Sequence, residues 1–266
     1  MTRRTARRLW LLLAVIALVA LPGALEVRQL LRVAAYGAGT PVCRVQTTSR
    51  AVALTFDDGP DPRYTSQLLS LLAADQMTAS FFLTGEHAST FPELVAAEID
   101  AGMEIGDHTW SHPHLPEVDI RTTISQIGRT RTLLAGLGAD VRMFRAPFGE
   151  ISSDQLGLTR RMELLPIHWS LPLDHYIDGR SPAEAANALL GLIKPGDIIL
   201  AHDASAGSID RDAAMRTLQI LLPELRDRGF AVVSVGELLT MGTPVRADPR
   251  PWFWQTGFSC PGPSRR

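Results

Sequence analysis

The order of apolar and polar positions predicts alternating strands and helices from residue 51 onward. Short continuous apolar runs, typical of buried parallel strands, are separated by longer stretches in which apolar residues recur every three or four positions, as on an amphipathic helix. The predicted strands are 51–56, 79–84, 103–107, 141–146, 164–170, 197–202 and 230–235. The predicted helices are 64–75, 91–101, 119–136, 152–162, 181–193 and 209–228.

Local helix signals support two of these boundaries. Ser181, Pro182 and Glu184 supply an N-cap, a proline at the first helical position and an acidic first turn. Gly229 follows the last predicted helix, where a glycine commonly ends a helix. Seven strands separated by helices favour an α/β fold with a parallel sheet of βα units.

The first 25 residues differ from the rest. Arginines at positions 3, 4, 7 and 8 precede thirteen uninterrupted apolar residues, 9–21. This pattern indicates an export signal, because thirteen residues fall short of the roughly 20 that span a bilayer. Including residues up to Leu25 gives a marginal span without a clean cleavage site, so residues 1–25 are either a cleaved signal or an uncleaved anchor. In both cases the positive-inside rule predicts that the remainder is exported.

The rest of the chain divides into a linker (26–49), one domain (50–240) and an irregular tail (241–266). The tail contains five prolines and the aromatic residues Trp252, Phe253 and Trp254, and we expect it to pack against the domain. A length of 266 residues with 45% hydrophobic residues is enough to bury a sizeable core.

Charge and cysteine content restrict the partners. With 26 basic and 28 acidic residues, the net charge of -2 exerts no long-range attraction on phosphate backbones, so we expect no nucleic-acid partner. Cys43 and Cys260 are the two cysteines and bracket the predicted domain. In an exported protein they either form a disulfide or are both unpaired.

Polar side chains recur at the carboxyl ends of the predicted strands. In a parallel βα architecture these ends meet at one face, where functional groups gather. Asp57 and Asp58 end the first strand, inside the sequence TFDDGPDP. The further residues at such ends are His108, Arg145, Trp169 and His202.

The sequence HTWSH places His108 and His112 four residues apart, on the same side of a helical turn. With one carboxylate they make a three-ligand metal site that keeps positions open for water and substrate. Of the aspartate pair, one carboxylate can bind the cation while its neighbour takes a proton from water. The cation also offsets the repulsion between the two carboxylates.

Four motifs in this order and spacing resemble those of the NodB-like polysaccharide deacetylases, carbohydrate esterase family 4. They are TFDDGP (55–60), HTWSH (108–112), RAPFG (145–149) and LAHD (200–203), and the resemblance runs from about residue 50 to 240. It implies a distorted (β/α) barrel of seven or eight strands. It also implies removal of acetyl groups from N-acetylglucosamine polymers, or of O-acetyl groups from xylan, with a divalent metal. Zinc is the expected ion, with Co²⁺, Ni²⁺ or Mn²⁺ as alternatives.

The resemblance also implies residue roles. Asp57 is the expected general base, oriented by Arg145. The expected metal ligands are Asp58, His108 and His112.

The remaining roles concern substrate. His202 is the expected general acid, which protonates the departing amine. The backbone N–H of Phe148 is expected to stabilise the oxyanion, and such a donor contributes on the order of 3 kcal/mol. Leu200 is expected to line the acetyl pocket, with Pro147 beside the substrate, and Trp169 to form a groove wall.

One segment departs from the family pattern. Relatives usually have an aspartate three residues after the tryptophan that ends the fifth strand, but WSLPLDHY (169–176) has Pro172 there. The carboxylate that normally tunes the acid histidine is therefore either absent or replaced by Asp174.

The leading interpretation is a metal-dependent deacetylase acting outside the cytoplasmic membrane on N-acetylated sugars of the cell wall. The alternatives are an O-acetyl esterase and a carbohydrate-binding protein that has lost turnover through the altered segment. We expect a monomer whose partner is an acetylated polysaccharide or oligosaccharide, with a membrane contact through residues 1–25 if these are not cleaved.

Overall fold

A curled sheet of parallel strands forms the centre of the molecule in the computed structural model, which describes residues 39–204, 210–249 and 258–261. In chain order the strands are β1 (Val42–Gln46), β2 (Ala51–Asp57), β3 (Ser80–Leu83), β4 (Glu104–Asp107), β5 (Met143–Phe144), β6 (Leu165–Pro166), β7 (Leu171–Pro172), β8 (Ile198–His202), β9 (Ala231–Val233), β10 (Thr243–Arg246), β11 (Asp248–Pro249) and β12 (Phe258–Ser259).

The central sheet has the hydrogen-bonded order β6-β5-β4-β3-β2-β8-β7. One edge of β2 pairs with β8. The other edge pairs with two strands in turn: β9 along residues 51–53 and β3 along residues 55–57. All these pairings are parallel, and the sheet curls into a half-barrel. The predicted α/β fold with a distorted barrel is confirmed.

Helices lie between most of these strands. They are α1 (Thr65–Ala74), α2 (Gly85–Thr90), α3 (Pro92–Asp100), α4 (Ile120–Gly136), α5 (Ser153–Arg161), α6 (Pro182–Leu192), α7 (Arg211–Asp227) and α8 (Val235–Leu239). Each of the six predicted helices is found, within two residues at either end. The short helices α2 and α8 were not predicted, because five or six residues are too few to show a helical period.

The predicted helix signals act as expected. Ser181 caps α6: its side chain accepts a hydrogen bond from the Glu184 N–H, and the Glu184 carboxylate accepts one from the Ser181 N–H. Gly229, just beyond α7, has a φ of 75°, a left-handed conformation that favours glycine.

Burial explains the apolar runs. All seven residues of β2 are buried, because the strand lies inside the sheet and helices cover it. Phe56 of β2 stacks on Phe81 of β3 with ring centroids 5.0 Å apart, and Leu68 and Leu72 of α1 belong to the same core.

The strand β1 corrects the predicted linker. Residues 42–46 fall within 26–49, yet they pair antiparallel with β10 and are mostly buried. Val42 also forms a bridge to Ile167, and the Val45 N–H donates to the Gly196 carbonyl at 2.8 Å, so β1 lies across the gap between β6 and β8. The periodicity does not reveal this strand, because Arg44 interrupts its short apolar run although the arginine is buried.

The two ends of the domain are covalently joined. Cys43 in β1 and Cys260 form a disulfide with a Cα–Cα distance of 5.6 Å. The predicted irregular tail also contributes the strands β10, β11 and β12. Its residues Trp252, Phe253 and Trp254 lie outside the described residues.

The predicted strand 164–170 is two short strands, β6 and β7. Between them the backbone changes neighbours: the His168 N–H donates to the Val42 carbonyl at 2.7 Å, and the Ser170 N–H donates to the Ile198 carbonyl at 3.0 Å.

In the described ranges no helix is both long enough and apolar enough to cross a bilayer. The predicted signal or anchor, residues 1–25, lies outside those ranges.

Candidate active site

The register of the central sheet brings two predicted site residues side by side. Asp57, the last residue of β2, is the direct Cα partner of His202, the last residue of β8. We call the edge of the sheet where these two strands end the carboxyl edge. His108 follows β4 at this edge, and Arg145 follows β5.

Asp58, His108 and His112 form a group that can hold a metal ion. One ligand atom from each lies within 4.8 Å of the other two. Asp58 Oδ1 is 3.4 Å from Nε2 of His108 and 3.4 Å from Nε2 of His112. This buried oxygen has no hydrogen bond of acceptable geometry within the described part of the chain. An uncompensated carboxylate oxygen between two imidazoles fits a cation bound by oxygen and nitrogen donors.

Strained backbone positions these side chains, and the predicted helical turn between His108 and His112 is wrong, because residues 108–112 form a non-helical loop. Four non-glycine residues of the site have positive φ: Asp58 (77°), Thr109 (69°), His112 (53°) and Phe148 (60°). Such conformations are costly for residues with a Cβ and persist where the surrounding structure enforces them. Asp107 contributes here, because its Oδ1 accepts a hydrogen bond from the Thr109 N–H at 2.8 Å.

A backbone carbonyl orients the first histidine. His108 Nδ1 lies 2.8 Å from the carbonyl oxygen of Arg145, an oxygen that can only accept a hydrogen bond. The proton of the neutral ring is therefore on Nδ1, which leaves the lone pair of Nε2 directed at Asp58.

The Arg145 guanidinium holds Asp57. Its Nη1 lies 2.6 Å from Asp57 Oδ1 and also donates to the Thr55 hydroxyl at 2.8 Å. Its Nη2 donates to the His168 carbonyl at 3.2 Å. The other oxygen of Asp57, Oδ2, is 3.8 Å from His108 Nε2, so one carboxylate oxygen is bound and the second faces the metal ligands.

The charge states of the ligand group follow from burial and neighbours. Burial alone raises the pKa of Asp58, but the adjacent His108 and the charges of His202 and His112 outweigh it and lower that pKa. Burial and then the charge of His108 lower the pKa of His112, which favours the neutral, ligating form. Burial by itself lowers the pKa of His108. The negative charges of Asp57 and Asp58 outweigh burial, so the pKa of His108 is raised. A cation therefore competes with a proton on His108.

The altered segment 169–176 still supplies a carboxylate to His202. Asp174 Oδ2 lies 2.6 Å from His202 Nδ1 and 2.7 Å from Arg211 Nη1. Burial would raise the pKa of Asp174, but His202 and Arg211 lower it. Of the two alternatives left by the sequence, the structure supports replacement by Asp174.

Of the predicted substrate residues, Phe148 contacts the ligand group, and the others lie in neighbouring elements. Phe148 is 58% exposed, and its ring meets the His112 ring edge-on at a centroid distance of 4.6 Å. Trp169 is half-buried against His168, with ring centroids 3.9 Å apart. Leu200 and Pro147 are buried, and Leu200 lies directly opposite Thr55 of β2 in the sheet.

Two further buried residues matter here, and one of them, Arg211, was not assigned a role from the sequence. Asp203, directly after His202, accepts a hydrogen bond from the Thr65 hydroxyl at 2.7 Å, and a Cβ built on Gly59 would overlap its carboxylate. Arg211 is the first residue of α7. A positive charge at the first position of a helix opposes the helix dipole. This unfavourable placement is the sequence signal that could have marked Arg211 as a residue with a specific partner.

The fold and the site define a hydrolase with a candidate metal centre at the carboxyl edge of a curled parallel sheet. The family model described as polysaccharide deacetylase matches residues 44–167. A chitooligosaccharide deacetylase of Sinorhizobium fredii is 35% identical over 204 residues, which cover 73% of this chain and 94% of that protein. A peptidoglycan-N-acetylglucosamine deacetylase of Bacillus cereus is 35% identical over 185 residues, 69% of this chain and 66% of that protein.

A solved structure agrees with these relatives. A peptidoglycan N-acetylglucosamine deacetylase in complex with 4-naphthalen-1-yl-N-oxidanyl-benzamide superposes with a TM-score of 0.69 at 31% identity, over 76% of this chain and 94% of that one. The chain therefore belongs to the polysaccharide deacetylase family, carbohydrate esterase family 4, and is a polysaccharide deacetylase. Enzymes of this family are metal-dependent, and the Asp58, His108 and His112 group fits that requirement.

Proposed function

We propose that this enzyme hydrolyses the acetamide group of N-acetylated sugars in an extracellular or cell-wall polysaccharide, either peptidoglycan or a chitin-like oligosaccharide. One observation carries the proposal. The carboxylate of Asp57, held by Arg145, lies beside the three-residue ligand group and opposite His202 in the sheet register. The substrates named for the relatives, chitooligosaccharide and peptidoglycan, support this sugar class.

Asp58, His108 and His112 would hold the ion, and we propose zinc, because one oxygen and two nitrogen donors with open positions are typical of catalytic zinc sites. When bound, zinc lowers the pKa of the attacking water to about 7 and polarises the acetyl carbonyl.

Asp57 acts as the general base and takes the proton of the attacking water. Arg145 prepares the carboxylate for proton transfer, because the 2.6 Å contact fixes Oδ1 while Oδ2 remains directed at the ligand group. The buried guanidinium is itself fixed by Thr55 and the His168 carbonyl.

His202 acts as the general acid and protonates the sugar nitrogen as the C–N bond breaks, because an amine anion is a poor leaving group. Its Nδ1 lies 2.6 Å from Asp174 Oδ2, so the carboxylate stands beside that nitrogen and Nε2 is the atom for the substrate. The backbone N–H of Phe148 donates to the oxyanion, Leu200 and Pro147 line the acetyl pocket, and Trp169 forms one wall of the sugar groove.

We further propose that the enzyme works outside the cytoplasmic membrane, either anchored or secreted. The support is the arginine-rich and then apolar pattern of residues 1–25. The disulfide between Cys43 and Cys260 is consistent with an oxidising compartment.

The test is acetate release from N-acetylated chitooligosaccharide, peptidoglycan and acetylated xylan, measured after chelation and again after zinc is returned. We expect release from at least one N-acetylated substrate, loss on chelation and recovery with zinc. Release from xylan alone would instead establish an O-acetyl esterase. Glycan binding without acetate release from any substrate would establish a carbohydrate-binding protein and overturn the proposal.

A further inference from the structure

The carboxylate that contacts His202 is weakly supported by its own segment. Asp174 is in a short 3-10 helix, Asp174–Tyr176, and is 8% exposed. Its Oδ1 has no hydrogen-bond partner among residues 39–204, 210–249 and 258–261. Its Oδ2 accepts a hydrogen bond from Arg211 and lies 2.6 Å from His202 Nδ1, which is close contact without hydrogen-bond alignment between the described residues. The position of this carboxylate therefore depends on groups from other elements.

Arg211 connects the segment that carries Asp174 with the one that carries His202. Its Nη1 donates to Asp174 Oδ2 at 2.7 Å, and its Nε donates to the carbonyl of Ala204 at 2.8 Å. Ala204 is two residues after His202, just beyond the end of β8. One planar guanidinium thus fixes the distance between the strand end and the aspartate.

The location of Arg211 is unfavourable for an arginine without a specific partner. The side chain is 4% exposed at the first position of α7, where both burial and the helix dipole disfavour a positive charge. The Asp174 carboxylate at 2.7 Å compensates this cost. Arg216, in the same helix, is mostly exposed and lies 3.9 Å from Asp210, so it is a matched arginine that does not contact Asp174.

We propose that Arg211 is a positioning residue for the acid step: it holds Asp174 so that the carboxylate keeps the proton of neutral His202 on Nδ1. The inference rests on the proposed function, in which His202 protonates the leaving amine. From α7, Arg211 gives the Asp174 carboxylate a hydrogen bond that no residue of the segment 169–176 gives it.

The kinetic test uses the full chain loaded with zinc and N-acetylated chitooligosaccharide as substrate. Arg211→Met should lower kcat about 10- to 100-fold with little change in KM, the usual range for residues that orient a catalytic group. Arg211→Lys should recover part of kcat, because it keeps the charge but not the two-point contact. Arg216→Met should match the wild type.

A double-mutant cycle distinguishes positioning from a general structural effect. If Arg211 acts through Asp174, Asp174→Asn should reduce kcat far less in the Arg211→Met background than in the wild type. Multiplicative losses of kcat in the double variant would overturn the proposal. If Arg211→Met does not fold, the same cycle with Arg211→Lys applies.

A readout without turnover tests the same claim independently of the proposed function. Nitrogen-15 NMR of the His202 ring should show the Nδ1–H form in the wild type and a larger Nε2–H fraction in Arg211→Met. An unchanged tautomer in the folded variant would contradict the role of Arg211. A wild type that releases no acetate from any glycan would contradict the proposed function but leave the NMR comparison valid.

Discussion

At the scale of single residues, two adjacent aspartates differ in function because their neighbours differ. Asp57 ends β2 and is held by Arg145, whereas Asp58 has a left-handed φ of 77° and faces His108 and His112. The change of backbone conformation between them directs one carboxylate to a guanidinium and the other to two imidazoles. The expected repulsion between neighbouring charges is thus compensated by separate partners.

Exchanging each aspartate for asparagine tests this division. We expect Asp57→Asn to retain zinc and to lose acetate release by about 10²- to 10⁴-fold, because the general base is gone. Asp58→Asn should lose zinc affinity, since it removes a ligand. Zinc content and acetate release are measured on both variants. Zinc loss with a normal residual rate in Asp57→Asn would mean that the two roles are reversed.

Gly59 is required by contact rather than by conformation. A Cβ at this position would overlap the Asp203 carboxylate, which is fully buried and bound to Thr65. We expect Gly59→Ala to cost about 1–3 kcal/mol of unfolding free energy and to weaken zinc binding, because the neighbouring Asp58 must shift. Chemical denaturation and zinc titration measure these effects. Gly136→Ala is the control, since a Cβ on Gly136 meets no atom within 4 Å, and equal behaviour of both variants would refute the argument.

At the scale of elements, α3 and the end of β8 bury two carboxyl groups behind the site. Glu98 of α3 and Asp203 are both fully buried. Burial raises the pKa of Asp203 to about 7, and the negative charge of Asp58 adds to the effect. Burial also raises the pKa of Glu98 well above its ordinary value, with a further contribution from Asp203. These elements therefore pack most favourably when the carboxyl groups are protonated.

The raised pKa values predict how stability changes with pH. Between the ordinary values, 4.5 for Glu98 and 3.8 for Asp203, and the raised folded values, the folded chain binds more protons than the unfolded chain. The free energy of unfolding should therefore fall as the pH rises through this window. Glu98→Gln removes one titrating group, so its loss of stability between about pH 5 and about pH 8 should be smaller than that of the wild type.

Denaturant unfolding in the presence of a chelator measures this difference without a metal contribution. Glu93→Gln, at an exposed position of α3, is the matched control and should show the pH dependence of the wild type. Identical pH dependence in Glu98→Gln and the wild type would show that Glu98 does not titrate differently in the folded state.

At the scale of the whole molecule, chain segments far apart in sequence close the half-barrel. The strand β1 contacts β10 and the segments around Ile167 and Gly196, and Cys43 joins it to Cys260 across a sequence separation of 217 residues. The disulfide thus connects β1 to the residue that follows β12.

A long disulfide loop predicts a large effect on stability. Replacing Cys43 and Cys260 together by alanine should lower the unfolding free energy by about 2–5 kcal/mol, because the unfolded chain gains freedom. Denaturant unfolding of this variant, and of the wild type with and without a reductant, measures the loss. The reductant should destabilise the wild type but not the variant, and an unaffected wild type would contradict the prediction.

Local interactions along the chain were enough to specify several parts of this protein. The six longer helices follow from periodicity and caps such as Ser181, and the α/β class follows from the alternation of elements. The positions of Asp57, His108 and His202 at strand ends could also be predicted, because parallel strands bring their carboxyl ends to one edge.

The contacts between segments distant in sequence were decided by the tertiary structure alone. Folding placed Asp174 against His202, supplied Arg211 from α7, buried Asp203 against Gly59 and made a strand of residues 42–46. The physical reason is the same in each case. These contacts join groups far apart in the chain, and their energies depend on distances and burial that exist only after the sheet has formed, whereas a local pattern records only what neighbouring residues favour.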